Sequence, residues 1–70
     1  MKKNIWNGIT VENTVELGHA VDGFLTRIGE TENSYGESFA ETARRLAKNG
    51  DTENADIMDM AETMWFEMAD

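Results

Sequence analysis

Two polar, glycine-containing breaks divide this chain, and no proline interrupts the segments between them. The breaks are residues 29–33 (GETEN) and residues 49–51 (NGD). Proline is the residue that most strongly ends or kinks a helix, so its absence leaves the intervening segments free to be helical. The breaks predict three helices joined by short loops, and short loops favour antiparallel neighbours.

The first predicted helix runs from about Thr14 to Ile28. Asn13 and Glu16 have the spacing of a capping box, in which two side chains satisfy backbone N–H groups at a helix start. Apolar residues then recur at spacings of four, three and four, which marks one face of an α-helix; they are Leu17, Val21, Phe24 and Ile28. Gly29 stands where a glycine commonly ends a helix.

The second predicted helix runs from about Tyr35 to Asn49. Ser34 and Glu37 have the capping-box spacing at its start, and Gly50 is its stop signal. Its buried stripe is predicted to consist of Tyr35, Phe39, Ala43, Leu46 and Ala47.

The third predicted helix runs from about Thr52 to Ala69, and Asp51 or Thr52 can cap its start. Six of its apolar residues share one broad face on the helical wheel. These predicted core residues are Ile57, Met58, Ala61, Met64, Trp65 and Met68.

The first twelve residues carry no helical pattern. Asn7-Gly8 between apolar residues is a strong signal for a β-hairpin, but a lone two-stranded hairpin is only marginally stable. We therefore predict an irregular arm over residues 1–12, with the hairpin as the alternative. Ile5, Trp6 and Ile9 are expected to pack on the helices. The predicted fold class is all-α, a single domain over residues 1–70 forming a small antiparallel three-helix bundle with an irregular N-terminal arm.

Composition restricts the classes of function. Fourteen acidic and six basic residues give a net charge of −8, which repels nucleic acid and anionic membrane. Without cysteine, disulfides and thiolate zinc sites are excluded. No apolar run approaches the ~18 residues of a membrane span, and no apolar stretch follows the charged opening as it does in a signal peptide. We expect a soluble, cytoplasmic protein that binds neither nucleic acid nor membrane directly.

Catalytic and metal-binding patterns are weak. No nucleophile–base arrangement and no glycine-rich phosphate loop occurs, and so thin a bundle can hardly enclose a pocket of ~300 Å³. Glu16 and His19 have the Glu-x-x-His spacing of di-iron helices, but the chain has one histidine. A solvated His19 is expected unless a dimer supplies a second half-site. Residues 51–62 resemble a calcium loop in their acidic positions, but Asp56 occupies the position that needs glycine. We therefore expect no catalytic activity, no cofactor and no metal.

The net charge is concentrated on the third helix. Residues 51–70 contain seven acidic and no basic residues, whereas residues 1–50 contain seven acidic and six basic residues. Most of these carboxylates lie opposite the apolar face on the wheel, and Met60 and Phe66 point towards them. Exposed methionines and aromatic residues are common at binding surfaces. The predicted partner-binding residues are Glu53, Asp56, Asp59, Met60, Glu62, Phe66, Glu67 and Asp70; the alternative is a solvated surface without a binding role.

The spacing of these charges suggests a mechanism. Twenty helical residues span ~30 Å, so the seven acidic residues average one per ~4 Å, near the ~3.4 Å phosphate spacing of one nucleic-acid strand. In size, charge and helicity the chain resembles the small acidic inhibitors that phages and plasmids encode against host defences, such as anti-CRISPR and anti-restriction proteins. We predict a nucleic-acid mimic that occupies a basic, nucleic-acid-binding surface of a partner protein. The alternative is a homo-oligomeric adaptor or regulatory module, including an antitoxin, whose third helix pairs through Met60, Met64, Trp65, Phe66 and Met68.

Overall fold

The computed structural model describes residues 4–30 and 38–69. Within these ranges the chain forms two antiparallel strands and three helices, namely β1 (Asn4–Trp6), β2 (Ile9–Val11), α1 (Thr14–Arg27), α2 (Phe39–Lys48) and α3 (Thr52–Ala69). The helix α3 contacts α1, α2 and β1, so the other elements assemble around it. The mostly helical fold is confirmed, and a small sheet is added to it.

The predicted start of α1 at Thr14 is confirmed, and the helix ends at Arg27, one residue before the predicted end. The Asn13 side chain accepts a hydrogen bond from the Glu16 backbone N–H at 2.9 Å, and the Glu16 carboxylate accepts one from the Glu12 backbone N–H at 2.8 Å. At the other end Gly29 has a φ of +79°, and the Glu30 N–H donates to the Leu25 carbonyl at 2.9 Å. This is the glycine-dependent Schellman arrangement that satisfies the last carbonyl groups of a helix.

The helix α2 begins at Phe39, later than the predicted start at Tyr35. Its cap is Ser38, whose hydroxyl oxygen accepts a hydrogen bond from the Glu41 backbone N–H at 3.1 Å. The Glu41 carboxylate in turn accepts one from the Ser38 backbone N–H at 3.0 Å. The sequence contains two consecutive Ser-x-x-Glu spacings, and the second of them caps α2. The first spacing, together with the predicted core residue Tyr35, lies outside the described residues.

One three-residue turn both ends α2 and begins α3. Gly50 has a φ of +89°, and the Asp51 backbone N–H donates to the Leu46 carbonyl at 2.9 Å. The Asp51 carboxylate then accepts a hydrogen bond from the Asn54 backbone N–H at 3.3 Å. The predicted bounds of α3, Thr52 to Ala69, and its Asp51 cap are confirmed.

The prediction of an irregular N-terminal arm is wrong, because residues 4–11 form a β-hairpin. Asn7 and Gly8 have φ angles of +50° and +79°, the positive values that a tight type I′ hairpin turn requires. Trp6 pairs with Ile9 across that turn. An isolated hairpin would be marginal, but this one gains stability from the burial of Trp6 and Val11, each only 1% exposed.

Trp6 fixes the hairpin to the helices. Its indole N–H donates to the Ile57 carbonyl of α3 at 3.0 Å, and its ring meets Phe24 of α1 edge-on with centroids 5.6 Å apart. Since side chains alternate along a strand, Ile5 projects away from the core and is 66% exposed, whereas Ile9, the cross-strand partner of Trp6, is 36% exposed. The expectation that Trp6 packs on the helices is confirmed, whereas Ile5 and Ile9 do not join the core: Ile5 lines a groove beside α3 and Ile9 is 36% exposed.

The core joins the hairpin to all three helices. It consists of Trp6, Val11, Leu17, Val21, Phe24, Leu25, Ala43, Leu46, Ala55, Met58 and Ala61. Ile28, Phe39, Ile57, Met64, Trp65 and Met68 are partly buried against it. Most of these burials were predicted, but Ala47 is exposed and Thr42 is buried in its place. The inner face of α2 is therefore rotated slightly towards Thr42 relative to the predicted stripe.

Candidate protein-binding surface

The outer side of α3 carries exposed carboxylates. Glu53, Asp56, Asp59 and Glu67 are exposed, and we call these four residues the acidic face. Glu62 is half-buried at one margin, and Asp70 lies outside the described residues. No lysine or arginine occurs between residues 52 and 69, so no positive charge of α3 itself compensates the acidic face.

Apart from Glu53, which lies in the favourable first turn, the carboxylates of the acidic face do not stabilise α3. Asp59 is three residues from both Asp56 and Glu62, and like charges at this spacing are neighbours that destabilise a helix by ~0.2–0.5 kcal/mol per pair. Glu67 lies near the C-terminus of α3, where the helix dipole favours cations, and the last turn has no basic residue. The like charges in the middle of α3 and the carboxylate near its end therefore carry a small cost in helix stability.

Two exposed apolar side chains flank the acidic face. Met60 is 56% exposed and Phe66 is 67% exposed. At ~100° per residue the two side chains project ~120° apart around α3, with Asp56, Asp59 and Glu67 in the arc between them. Along the helix axis Asp59 precedes Met60 and Glu67 follows Phe66, so a partner that covers both apolar residues approaches these carboxylates closely.

A groove of about 270 Å³ lies between the hairpin and α3. We call it the hairpin groove; its lining residues are Ile5, Trp6, Asn7, Met60, Thr63, Met64 and Glu67. Ile5 and Met60 are its exposed apolar members, whereas Trp6 and Met64 are buried or half-buried. Glu67 belongs both to this groove and to the acidic face, so apolar and negatively charged side chains are adjacent on one surface.

A smaller groove of about 180 Å³ lies on the other side of α3, next to α2. We call it the Phe66 groove; its lining residues are Ser38, Phe39, Glu62, Trp65 and Phe66. The rings of Phe39 and Trp65 meet edge-on with centroids 5.5 Å apart, which holds α2 against α3 at this point. The two grooves thus border the acidic face on opposite sides.

The residues that resembled metal-binding motifs in the sequence lie on the outside of α1 and within α3. Glu16 and His19 are both exposed, and the Glu16 carboxylate takes part in the start of α1. Residues 52–62 are helical and do not form a loop. In the ranges that the structure describes, no three His, Asp or Glu side chains converge as a metal site would require. In the same ranges, none of the helices combines the length and the apolar composition needed to cross a bilayer.

The structure brings the predicted residues together with others that the sequence did not indicate. Met60 meets Ile5 and Trp6 across the hairpin groove, although they are more than fifty residues apart in the chain. Asn7-Gly8 was the available sequence signal for this contact, since the hairpin it forms places Ile5 beside α3 while Trp6 enters the core. No protein-family model, no curated protein and no solved structure matches this chain.

Proposed function

We propose that this protein is a non-enzymatic inhibitor that occupies a basic, nucleic-acid-binding surface of a partner protein. The acidic face of α3 is the contact surface, in the manner of small anti-CRISPR and anti-restriction proteins of phages and plasmids. The proposal includes an antiparallel arrangement of the three helices and action in the cytoplasm. The observation that carries it is the row of exposed carboxylates without a basic residue, bordered on both sides by exposed apolar side chains.

The two kinds of side chain have different parts in the proposed complex. Carboxylates along an 18-residue helix, about 27 Å long, attract a basic groove over a distance and raise the association rate. Met60 and Phe66 add apolar contact area, and buried aromatic residues are frequent sources of binding energy in interfaces. Apolar contact mainly slows dissociation, so charge and apolar area together favour a stable complex.

The alternative function is a homo-oligomeric adaptor or a regulatory module such as an antitoxin. It is favoured by the exposure of Met60 and Phe66, but Met64, Trp65 and Met68 are half-buried against the protein's own core. In a symmetric dimer the same surface meets itself, so pairing through Met60 and Phe66 would place the acidic face against its own copy. Like-charge contact costs several kcal/mol, and this favours a basic partner over a second copy.

A pair of charge-reversed variants tests the proposal. Asp56→Lys/Asp59→Lys changes two carboxylates of the acidic face, and Glu12→Lys/Asp22→Lys changes two exposed carboxylates elsewhere. Both variants have the same net charge, so any difference between them reports the position of the charge. Wild type and both variants are immobilised and exposed to nuclease-treated lysate of the source organism, and retained proteins are then challenged with excess DNA.

We expect wild type and the Glu12/Asp22 control to retain a nucleic-acid-binding protein that DNA displaces, and the Asp56/Asp59 variant to lose it. Equal retention by both double variants would show that the acidic face is a solvated surface. A retained protein that DNA cannot displace would contradict the proposed mimicry of nucleic acid. Sedimentation of wild type as a dimer that Phe66→Ala converts to a monomer would support the oligomeric alternative.

A further inference from the structure

The hairpin groove has a rigid wall. The indole N–H of Trp6 donates to the Ile57 carbonyl at 3.0 Å, and Trp6 is almost completely buried against Phe24. These contacts hold β1 in place beside α3, so Ile5 is held at the groove's edge. A groove that exists before binding does not need to be ordered by its ligand, which removes part of the entropic cost of association.

The lining chemistry specifies what the hairpin groove can bind. The apolar members Ile5, Met60 and Met64 face the space, and methionine side chains adapt readily to the shape of a ligand. Glu67 is the charged residue among the lining residues, and Asp56 is exposed one helical turn before Met60. An apolar group in this groove therefore has carboxylates beside it, and a cation attached to that group would be stabilised.

The size of the hairpin groove favours a side chain of a bound polypeptide over a drug-sized small molecule. At about 270 Å³ and open along one side, it is smaller than the ~300–1,000 Å³ clefts that enclose drug-sized molecules. It suits one or two side chains of a bound polypeptide. In a symmetric dimer through this surface, a second copy would bring its own acidic face, so charge complementarity favours a basic segment of another protein over that dimer.

We propose that the hairpin groove receives a leucine-sized apolar side chain from a lysine- or arginine-rich segment of the partner, while the neighbouring cations contact the acidic face. This inference rests on the proposed function and extends it, because it divides recognition into a charge contact and an apolar pocket. Specificity among basic partners then comes from the apolar side chain, since most nucleic-acid-binding surfaces share the positive charge.

Two synthetic peptides of equal charge test this division. The first is KLKKLK and the second is KSKKSK, both acetylated and amidated. Each is titrated into the full-length ¹⁵N-labelled protein with ¹³C-labelled methionine methyl groups, and binding is followed by NMR. We expect KLKKLK to bind at least about tenfold more tightly, because a buried leucine contributes more than the free energy equivalent to a factor of ten. Its binding should shift the methyl signals of Met60 and Met64 and the indole N–H signal of Trp6.

Matched variants locate the apolar contact. Ile5 and Val15 are both 66% exposed and both β-branched, so Ile5→Thr and Val15→Thr remove the same type of group without opening the core. Ile5→Thr should reduce the preference for KLKKLK severalfold, and Val15→Thr should leave it unchanged. Both variants should bind KSKKSK as wild type does, because the acidic face is intact in each.

The outcomes separate this inference from the proposed function. Equal affinity for the two peptides, with signal changes confined to the acidic face, would overturn the apolar pocket and leave the charge contact standing. Leucine-dependent changes at Phe39 and Phe66 would overturn it in favour of the Phe66 groove. If the protein self-associates through this groove and the peptides then cause no signal changes there, the hairpin groove would be assigned to a second copy. Failure of both peptides to bind at low salt would count against the charge contact as well.

Discussion

The helices α2 and α3 are neighbours joined by one turn, but their charges are arranged in opposite ways. The helix α2 has a reciprocal capping box between Ser38 and Glu41 and basic residues in its last turn. Its Arg45 also forms an ion pair of 3.0 Å with Glu30 in a partly buried position. The helix α3 has adjacent like charges and no basic residue at its C-terminal end.

This difference shows how far the charges of each helix serve its local stability. In α2, Glu41 belongs to the N-terminal capping box, and Arg45 and Lys48 lie in the last turn, where the helix dipole favours cations. This helix has ten residues. The helix α3 follows the same electrostatic rules at its start, but it has adjacent like charges in the middle and no basic residue in its last turn, and it relies on its buried inner face. Departures from local rules tend to mark functional surfaces, because they are retained against a cost in stability.

The largest predicted effect tests whether the buried inner faces of α2 and α3 contribute equally to the stability of the fold. Leu46 of α2 and Met58 of α3 are 2% and 0% exposed. Leu46→Ala and Met58→Ala should each destabilise the fold by ~2–5 kcal/mol, because each leaves a cavity in the core. A domain of this size has only ~3–5 kcal/mol of net stability, so each substitution should remove most of that stability, as measured by urea denaturation followed by circular dichroism.

Met60→Ala is the control for these core substitutions, since Met60 is largely exposed on the same helix. It should change the free energy of unfolding by less than ~0.5 kcal/mol. If Met58→Ala were as mild as Met60→Ala, the inner face of α3 would not be part of the core and the comparison of the two helices would fail.

The next effect concerns the local rules that α2 obeys. Ser38→Ala removes the hydroxyl that accepts the Glu41 backbone N–H, and the loss of such a cap costs ~0.5–2 kcal/mol. Ser38→Asp keeps an acceptor at the same position and should retain most of the stability. The measurement is again chemical denaturation. A Ser38→Ala variant as stable as wild type would show that the cap contributes little, and that α2 is held mainly by its apolar contacts with α3.

The features that could be predicted from the sequence are local ones. The ends of α1 and the whole of α3 follow from a capping side chain and a glycine within a few residues of each boundary. The start of α2 was misplaced because two capping-box spacings follow one another, and local chemistry does not decide between them. The solvent exposure of the α3 carboxylates also follows from helical periodicity, but their binding role remains a proposal.

The features that could not be predicted depend on contacts between distant residues. The hairpin signal at Asn7-Gly8 was visible, but its stability depends on Trp6 reaching Ile57, 51 residues away in the chain. The strand carrying Ile5 and Trp6 has adjacent apolar residues, so alternation could not show which one enters the core. The hairpin groove forms only when Trp6, and not Ile5, is buried in the core. Its apolar lining therefore could not be inferred from the sequence.

The smallest predicted effect bears most directly on the comparison, because it links stability and binding in one substitution. Asp59 lies between Asp56 and Glu62, each three residues away on the same side of α3. Asp59→Lys replaces two repulsive pairs by two attractive ones, and each pair contributes a few tenths of a kcal/mol in a helix. The fold should therefore become more stable by up to ~1 kcal/mol, a rise of a few degrees in the melting temperature for a domain of this size.

The same Asp59→Lys variant should bind a basic partner more weakly, because it reverses a charge in the middle of the acidic face. Asp22→Lys is the matched control: it makes the same change in net charge on α1, where no charged residue lies three or four positions away. It should alter neither stability nor binding appreciably. Melting curves at low and high salt measure the first effect, since screening should remove the gain, and titration with KSKKSK measures the second. A gain in stability without any loss of peptide binding would mean that the like charges of α3 have no function in binding, and α2 and α3 would then differ in composition alone.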